Sequence, residues 1–120
     1  FNTSGDLIYS MFKKSDFAEN FSAQGGSLAG SGLGEVFRDA MQHDAGHISF
    51  EDFAPYSPRD GAAASFLATP VFSEAGARIG VVALQMPISA INTIFQDRTG
   101  MGETGQTILV GEDNLSNGFF

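Results

Sequence analysis

Two apolar segments joined by a short turn dominate the middle of this sequence. The segments Ala62–Phe72 and Arg78–Met86 are apolar at both alternating sets of positions, and the turn Ser73–Ala77 separates them. Continuous apolar runs bounded by turn residues are typical of strands that are buried on both faces. The stretch Ala62–Met86 therefore predicts an antiparallel hairpin at the centre of a sheet, with another layer packed on each face.

The hairpin contains many small residues, which leave space above its strands. They are Ala62, Ala63, Ala64, Ser65, Ala68, Gly80 and Ala83. Either a helix approaches the sheet closely there or a small molecule binds, and close helix packing is the favoured alternative.

In the rest of the chain, segments whose apolar residues have helical spacing alternate with segments whose apolar residues have strand spacing. An apolar helical stripe begins after Ser31, which suits an N-cap, and ends before Gly46. A short helical turn is predicted at Asp16 and a second helix at Ile88–Arg98. Further strands are predicted at Leu7–Phe12, Ile48–Phe53 and Thr107–Val110. Antiparallel strands with helices inserted after the first strand pair indicate an α+β fold.

The composition excludes several classes of function. The net charge is −8, and the six Lys and Arg residues are scattered, which argues against nucleic acid and an anionic membrane surface as partners. The chain has no Cys, so disulfides, thiol catalysis and thiolate metal sites are ruled out. No apolar run is long enough to cross a bilayer, so any membrane anchor is expected in flanking helices outside this segment.

The two histidines suggest a metal site only weakly. His43 and His47 are four residues apart, but Gly46 stands between them at the predicted helix end, and the sequence offers no obvious third ligand. Histidines that face water at a helix end are the favoured interpretation. No serine lies in a G-x-S-x-G elbow. We therefore predict no catalytic residue, no metal and no cofactor, and the chain is not expected to be an enzyme.

The segment Gly100–Gly105 reads G-x-G-x-x-G. A dinucleotide-binding fingerprint needs a strand before it and a helix after it, whereas here a predicted helix precedes it and a predicted strand follows. The segment is interpreted as a connector between two structural units.

The segment Asp52–Pro58 combines a carboxylate, two aromatic residues and two prolines directly before the central hairpin. A carboxylate between aromatic walls suits a cationic or amine-bearing ligand. Alternatively, the segment is a rigid loop whose aromatic side chains cap the core, and the sequence leaves both interpretations open.

Four segments occur in an order that is characteristic of one family of sensors. They are Gly5–Ser10 with Lys14–Phe17, then Asp52–Pro58, Ile79–Ile88 and Gly102–Gly111. Together they resemble the Cache family, the PAS-like sensor domains on the outside of bacterial chemoreceptors and sensor histidine kinases. The resemblance implies a PAS-like antiparallel sheet at residues 1–87, a connecting helix and hinge at 88–101, and the start of a second, membrane-proximal module at 102–120. In that arrangement, a long N-terminal helix and part of the first strand precede residue 1.

The resemblance also implies a function. It indicates a non-enzymatic sensor that binds a small molecule in the periplasm or outside the cell, belongs to a receptor in the cell membrane and forms a homodimer there. The candidate ligand contacts are Tyr9, Asp52, Tyr56, Ser65, Phe66 and Ala68. The chain has no Trp and so lacks the Arg-x-Trp-Tyr motif of amino-acid-binding members. The alternatives are a structural or dimerisation spacer that binds no ligand and, less favoured, a metal-dependent enzyme that uses His43 and His47.

Overall fold

The computed structural model describes residues 1–106, and two compact units divide at Met86 and Pro87. The first unit contains helix α1 (Gly32–Gln42), strand β1 (Ser49–Pro55), a 3₁₀ turn (Ser57–Arg59), strand β2 (Ala63–Phe72) and strand β3 (Arg78–Met86). Helix α2 (Ile88–Phe95) lies in the second unit. The strand predicted at Thr107–Val110 and most of the segment assigned to a second module lie outside the described residues. No helix among residues 1–106 has the length and apolar character needed to span a membrane.

The first unit is a small α+β domain with one helix packed on a three-stranded antiparallel sheet. The predicted hairpin is confirmed as antiparallel, with Thr69 opposite Val82. Among residues 1–106 the strand order is β1-β2-β3, so only β2 is central there, and the prediction that both hairpin strands are central is wrong for β3 in this part of the chain. On the outer edge of β3, Phe1 exchanges two backbone hydrogen bonds with Val81, of 2.8 and 3.1 Å.

Helix α1 forms where the sequence predicts it. Ser31 is the N-cap, and its hydroxyl accepts a hydrogen bond from the Gly34 amide. The apolar stripe of the helix is buried against one face of the sheet, together with residues of β2 and β3; these core residues are Leu33, Val36, Phe37, Ala40, Ala64, Phe66, Ala68 and Val81. The small side chains of the hairpin therefore accommodate a closely packed helix.

Within the first unit, residues 1–86, the other face of the sheet has no layer packed on it, contrary to the prediction of a layer on each face. Phe50 of β1 is 53% exposed, and Val82 and Leu84 of β3 are 52% and 65% exposed. The apolar pattern of a strand indicates which residues are stabilised by burial. It does not show which element, if any, packs over them.

The predicted strand Leu7–Phe12 is absent, and the region contains one isolated bridge between Asp6 and Asn20. The amide of Leu7 still donates to Glu19, but the following residues leave this pairing, and Phe12 is 76% exposed. The turn at Asp16 is not helical either. One side-chain hydrogen bond from Asn20 to Asp6, together with backbone hydrogen bonds such as that from the Phe21 amide to the Gly5 carbonyl oxygen, holds the short pairing. The expected first strand pair is thus reduced to this bridge, and α1 follows it.

Candidate functional site

Tyr56 lies at the end of β1 and is only 3% exposed. Its ring packs edge-to-face on Phe66 with centroids 5.0 Å apart, and its hydroxyl donates a 2.9 Å hydrogen bond to Asp16 Oδ2. Burial and the neighbouring Asp16 carboxylate raise the pKa of Tyr56 above its ordinary range. Tyr56 is therefore a neutral hydroxyl that joins the core to the turn at Asp16.

The other five predicted ligand contacts divide into two groups. Ser65, Phe66 and Ala68 are buried in the core, and the Ser65 hydroxyl donates to the Glu51 carbonyl oxygen. Tyr9 is 73% exposed, and Asp52 is an exposed residue whose carboxylate accepts a hydrogen bond from the Phe53 amide. The structure therefore brings Tyr56 and Phe66 into contact but places Tyr9 and Asp52 on the surface.

An open depression of about 590 Å³ lies beside Tyr56, and we call it the Tyr56 depression. One wall is the segment that leads into α1, and the other is the turn between β1 and β2. The lining residues are Ser27, Leu28, Gly30, Ser31, Pro55, Tyr56, Ser57, Asp60 and Gly61. Of the six predicted contacts, only Tyr56 belongs to this lining.

The wall that leads into α1 is attached to the helix by Arg38. Its guanidinium donates to the carbonyl oxygens of Ala29 and Phe21, at 2.5 and 3.1 Å, and forms an ion pair with Glu35. Gly34 allows this close approach because a Cβ there would overlap the Ala29 carbonyl oxygen. The sequence signal for this wall was a Gly/Ser-rich loop, which offers no indication of where it packs.

The opposite wall is a tight turn closed by backbone hydrogen bonds. The Tyr56 carbonyl oxygen accepts from the amides of Arg59 and Gly61. Asp60 has a left-handed backbone conformation with φ of 56°, which Asp and Asn tolerate better than most residues. The depression thus has serine side chains and one exposed carboxylate in its lining, beside the buried Tyr56, which suits a small polar ligand that carries positive charge.

Asp39, His43 and His47 form a second cluster, which we call the histidine corner. One donor atom of each residue lies within 4.8 Å of the other two. His47 Nε2 is 3.0 Å from Asp39 Oδ2, and His43 Nδ1 is 3.6 Å from Asp39 Oδ1. The two imidazole rings stack with centroids 3.6 Å apart. The structure therefore supplies the third possible ligand that the sequence analysis did not find.

The backbone and carboxylate of the histidine corner are anchored to the sheet. The Ser49 hydroxyl donates to Asp39 Oδ2 at 2.6 Å. The Thr69 hydroxyl donates to the His47 carbonyl oxygen, and Arg78 donates to the His43 carbonyl oxygen. Hydrogen bonds from Ser49 and then His47 lower the pKa of Asp39.

The sequence does contain an indication of the histidine corner, namely the helical spacing of Asp39 and His43. Asp39 and His43 are four residues apart at the end of α1, a spacing that places two side chains on the same helical face. The chain then turns at Gly46, where φ is +88°, and returns His47 to the same place.

Known proteins do not identify this chain: no family model, no curated protein and no solved structure matches it.

Proposed function

We propose that this chain is a sensor module that binds a small, positively charged organic molecule in the Tyr56 depression. In this proposal the domain is a PAS-like module of the Cache type, located outside the membrane in a bacterial receptor that works as a homodimer. The observation that carries the proposal is the depression itself, because it adjoins the aromatic and acidic segment Asp52–Pro58 that the sequence singles out for ligand contact.

The size and lining of the depression support this proposal. About 590 Å³ lies within the range of roughly 300–1,000 Å³ that is typical of small-molecule sites. Asp60 contributes an exposed carboxylate, and a protonated amine can form a charge-assisted hydrogen bond with it. Asp16 adds a second acidic group behind Tyr56, and its Oδ1 is buried without a hydrogen-bond partner among the described residues.

Signal transmission in this proposal depends on the junction at Pro87. Strand β3 ends at Met86 and helix α2 begins at Ile88, so a single residue separates them. Gly100 and Gly102, both with positive φ, follow the helix and supply hinge positions. Insertion of two glycines after Met86 should preserve ligand binding and abolish the output of the complete receptor. Unchanged output would show that the signal takes another route.

The decisive experiment is a binding screen with a matched charge variant. Primary amines, polyamines and quaternary ammonium compounds, with organic acids and sugars as comparison classes, are tested by thermal shift and then by calorimetry. A bound amine should raise the melting temperature by mass action. Asp60→Asn, which tolerates the same left-handed backbone, should weaken binding of that amine at least tenfold. Glu74→Gln, an equal charge change in the exposed β2–β3 turn, should leave binding unchanged.

A binding result that favours acids over amines, or equal effects of the Asp60 and Glu74 variants, would contradict the proposed ligand class. Failure of every compound at millimolar concentration would contradict ligand sensing by this depression.

A second candidate function is a structural spacer of the same kind of receptor that binds no ligand. It is favoured by the core packing of Tyr56, Ser65, Phe66 and Ala68, which leaves these predicted contacts largely inaccessible. Sedimentation analysis distinguishes it, because a spacer that acts through dimerisation should associate at the same protein concentration with and without every compound of the screen.

A further inference from the structure

We propose that the histidine corner binds a divalent transition-metal ion of the Zn²⁺ class. The donor set is one carboxylate, from Asp39, and two imidazoles, from His43 and His47. This site is separate from the lining of the Tyr56 depression, and the proposal does not depend on the sensor function.

The chemistry of the donors selects the metal. Imidazole is a good ligand for Zn²⁺, Cu²⁺ and Ni²⁺, whereas Mg²⁺ and Ca²⁺ prefer sets made only of oxygen ligands. Both histidines of the chain belong to the corner, so no other place in the sequence offers imidazole. Three protein ligands leave a coordination position for water, as in sites where the ion remains accessible and exchangeable.

The positions of the donors require only side-chain adjustment. Zinc bonds to nitrogen and oxygen are about 2.0–2.2 Å long, so donors that share one ion lie roughly 3–4 Å apart. The present mutual distances fall within 4.8 Å. The two rings are almost parallel, with 7° between their planes, so they must splay for their lone pairs to converge on one ion. His43 Nδ1 also exchanges its 2.8 Å contact with the Asp39 carbonyl oxygen for the metal.

Anchors from the sheet reduce the cost of assembling this site. Ser49 donates a hydrogen bond to the Asp39 carboxylate. Thr69 and Arg78 donate to the backbone carbonyl oxygens of the two histidines, Thr69 to His47 and Arg78 to His43. Because Ser49 donates to the carboxylate, it can orient Asp39 as a metal ligand, in the way that outer hydrogen bonds tune other metal sites. The side chains of His43, His47 and Asp39 are 43%, 35% and 49% exposed, so an ion reaches them without an opening of the core.

The test is a calorimetric titration of the complete chain with Zn²⁺ alone, after treatment with a chelator and removal of it. We expect one ion per chain. His43→Gln, His47→Gln and Asp39→Asn should each weaken binding at least tenfold. Asp44→Asn is the matched control, since it removes one exposed carboxylate from the same turn without touching the donor set, and it should bind as the wild type does.

Ser49→Ala provides a second variant that leaves all three ligands in place. It should weaken Zn²⁺ binding by about tenfold if Ser49 orients Asp39. Circular dichroism of every variant checks that the fold is intact. Imidazole ¹⁵N chemical shifts should identify one nitrogen of each histidine as bound to the metal, which a merely destabilised variant would not explain.

Three results would overturn the proposal. They are the absence of one-to-one binding at 1 mM free Zn²⁺, wild-type affinity in the histidine variants, and binding of Mg²⁺ as tight as that of Zn²⁺. The last result would assign any binding to exposed carboxylates instead of imidazole.

Discussion

The two ends of α1 lead to two very different clusters of polar side chains. Ser31, at the beginning of the helix, lines the Tyr56 depression, whereas Asp39, near its end, belongs to the histidine corner. At the first end the chemically interesting residue, Tyr56, is buried and packed into the core. At the second end, His43 and His47 remain partly exposed and lie against each other.

Burial gives Tyr56 a structural role, whereas exposure leaves His43 and His47 available for chemistry. Tyr56 uses its ring for packing on Phe66 and its hydroxyl for a hydrogen bond to Asp16, so its substitution affects stability before it affects binding. The imidazoles of His43 and His47 contribute little to the core, and their nitrogen atoms can exchange a hydrogen bond for another ligand.

Tyr56→Ala should lower the free energy of unfolding by about 3–5 kcal/mol, because it removes a buried aromatic ring and leaves a cavity beside Phe66. Urea unfolding followed by circular dichroism measures the change. Tyr9→Ala is the matched control at a 73% exposed tyrosine, and it should change the free energy by less than about 0.5 kcal/mol. Similar losses in both variants would contradict the structural role assigned to Tyr56.

Raising the pH above 10 should destabilise the domain through Tyr56. The raised pKa means that the folded state keeps this proton at pH values where the unfolded state has lost it, so stability falls as the pH rises through and above the ordinary value of 10.0. The slope approaches about 1.4 kcal/mol per pH unit. The urea midpoint should fall between pH 9 and pH 11 through the loss due to Tyr56 in the wild type, and this part of the decrease should be missing in Tyr56→Phe. Identical pH dependence in the two proteins would rule out Tyr56 as its source.

Ser49→Ala should lower the free energy of unfolding by about 1 kcal/mol, since it removes the hydroxyl that donates to the Asp39 carboxylate while water can replace part of that bond. The lowered pKa of Asp39 stabilises the fold above the ordinary pKa of 3.8, and this contribution is lost as the pH falls below it. The free energy of unfolding should therefore fall less steeply in the variant than in the wild type as the pH is lowered. Ser57→Ala, at an exposed position, is the control and should leave the acid titration unchanged.

Ser31→Ala should lower the free energy of unfolding by about 0.5–1 kcal/mol, because it removes the N-cap of α1. Ser31→Asp should restore most of that stability, since aspartate also caps a helix. Thermal unfolding of both variants provides the measurement. A loss that aspartate does not restore would assign the effect to the bond between Ser31 and the Leu28 carbonyl oxygen instead.

Much of the fold was predictable because local patterns determine it. The boundaries of β3, the N-cap of α1 and its apolar stripe follow directly from residue periodicity and capping chemistry. The position of β3 at the sheet edge did not follow, because an apolar pattern on both faces does not specify how many neighbours a strand has. The strand expected at Leu7–Phe12 failed because, within residues 1–106, the pairing beside it is a single bridge between Asp6 and Asn20.

The candidate sites were less predictable, since both depend on residues that are distant in sequence. Tyr56 was identified from the Asp52–Pro58 segment, but its burial against Phe66 and the approach of Ser27–Ser31 depend on tertiary packing. Asp39 was not predicted as a third ligand, because the spacing between the two histidines alone does not point to it. The family assignment and the sensor function remain proposals that rest on sequence resemblance and on the Tyr56 depression.

Amide NMR during titration with the strongest amine of the screen locates the bound ligand on the chain. We expect saturable shifts at 27–31 and 55–61, while the amides of 39–49 stay unchanged, because the ligand binds in the Tyr56 depression and not at the histidine corner. Saturable shifts centred on 39–49, or no saturation with any amine at millimolar concentration, would contradict this expectation.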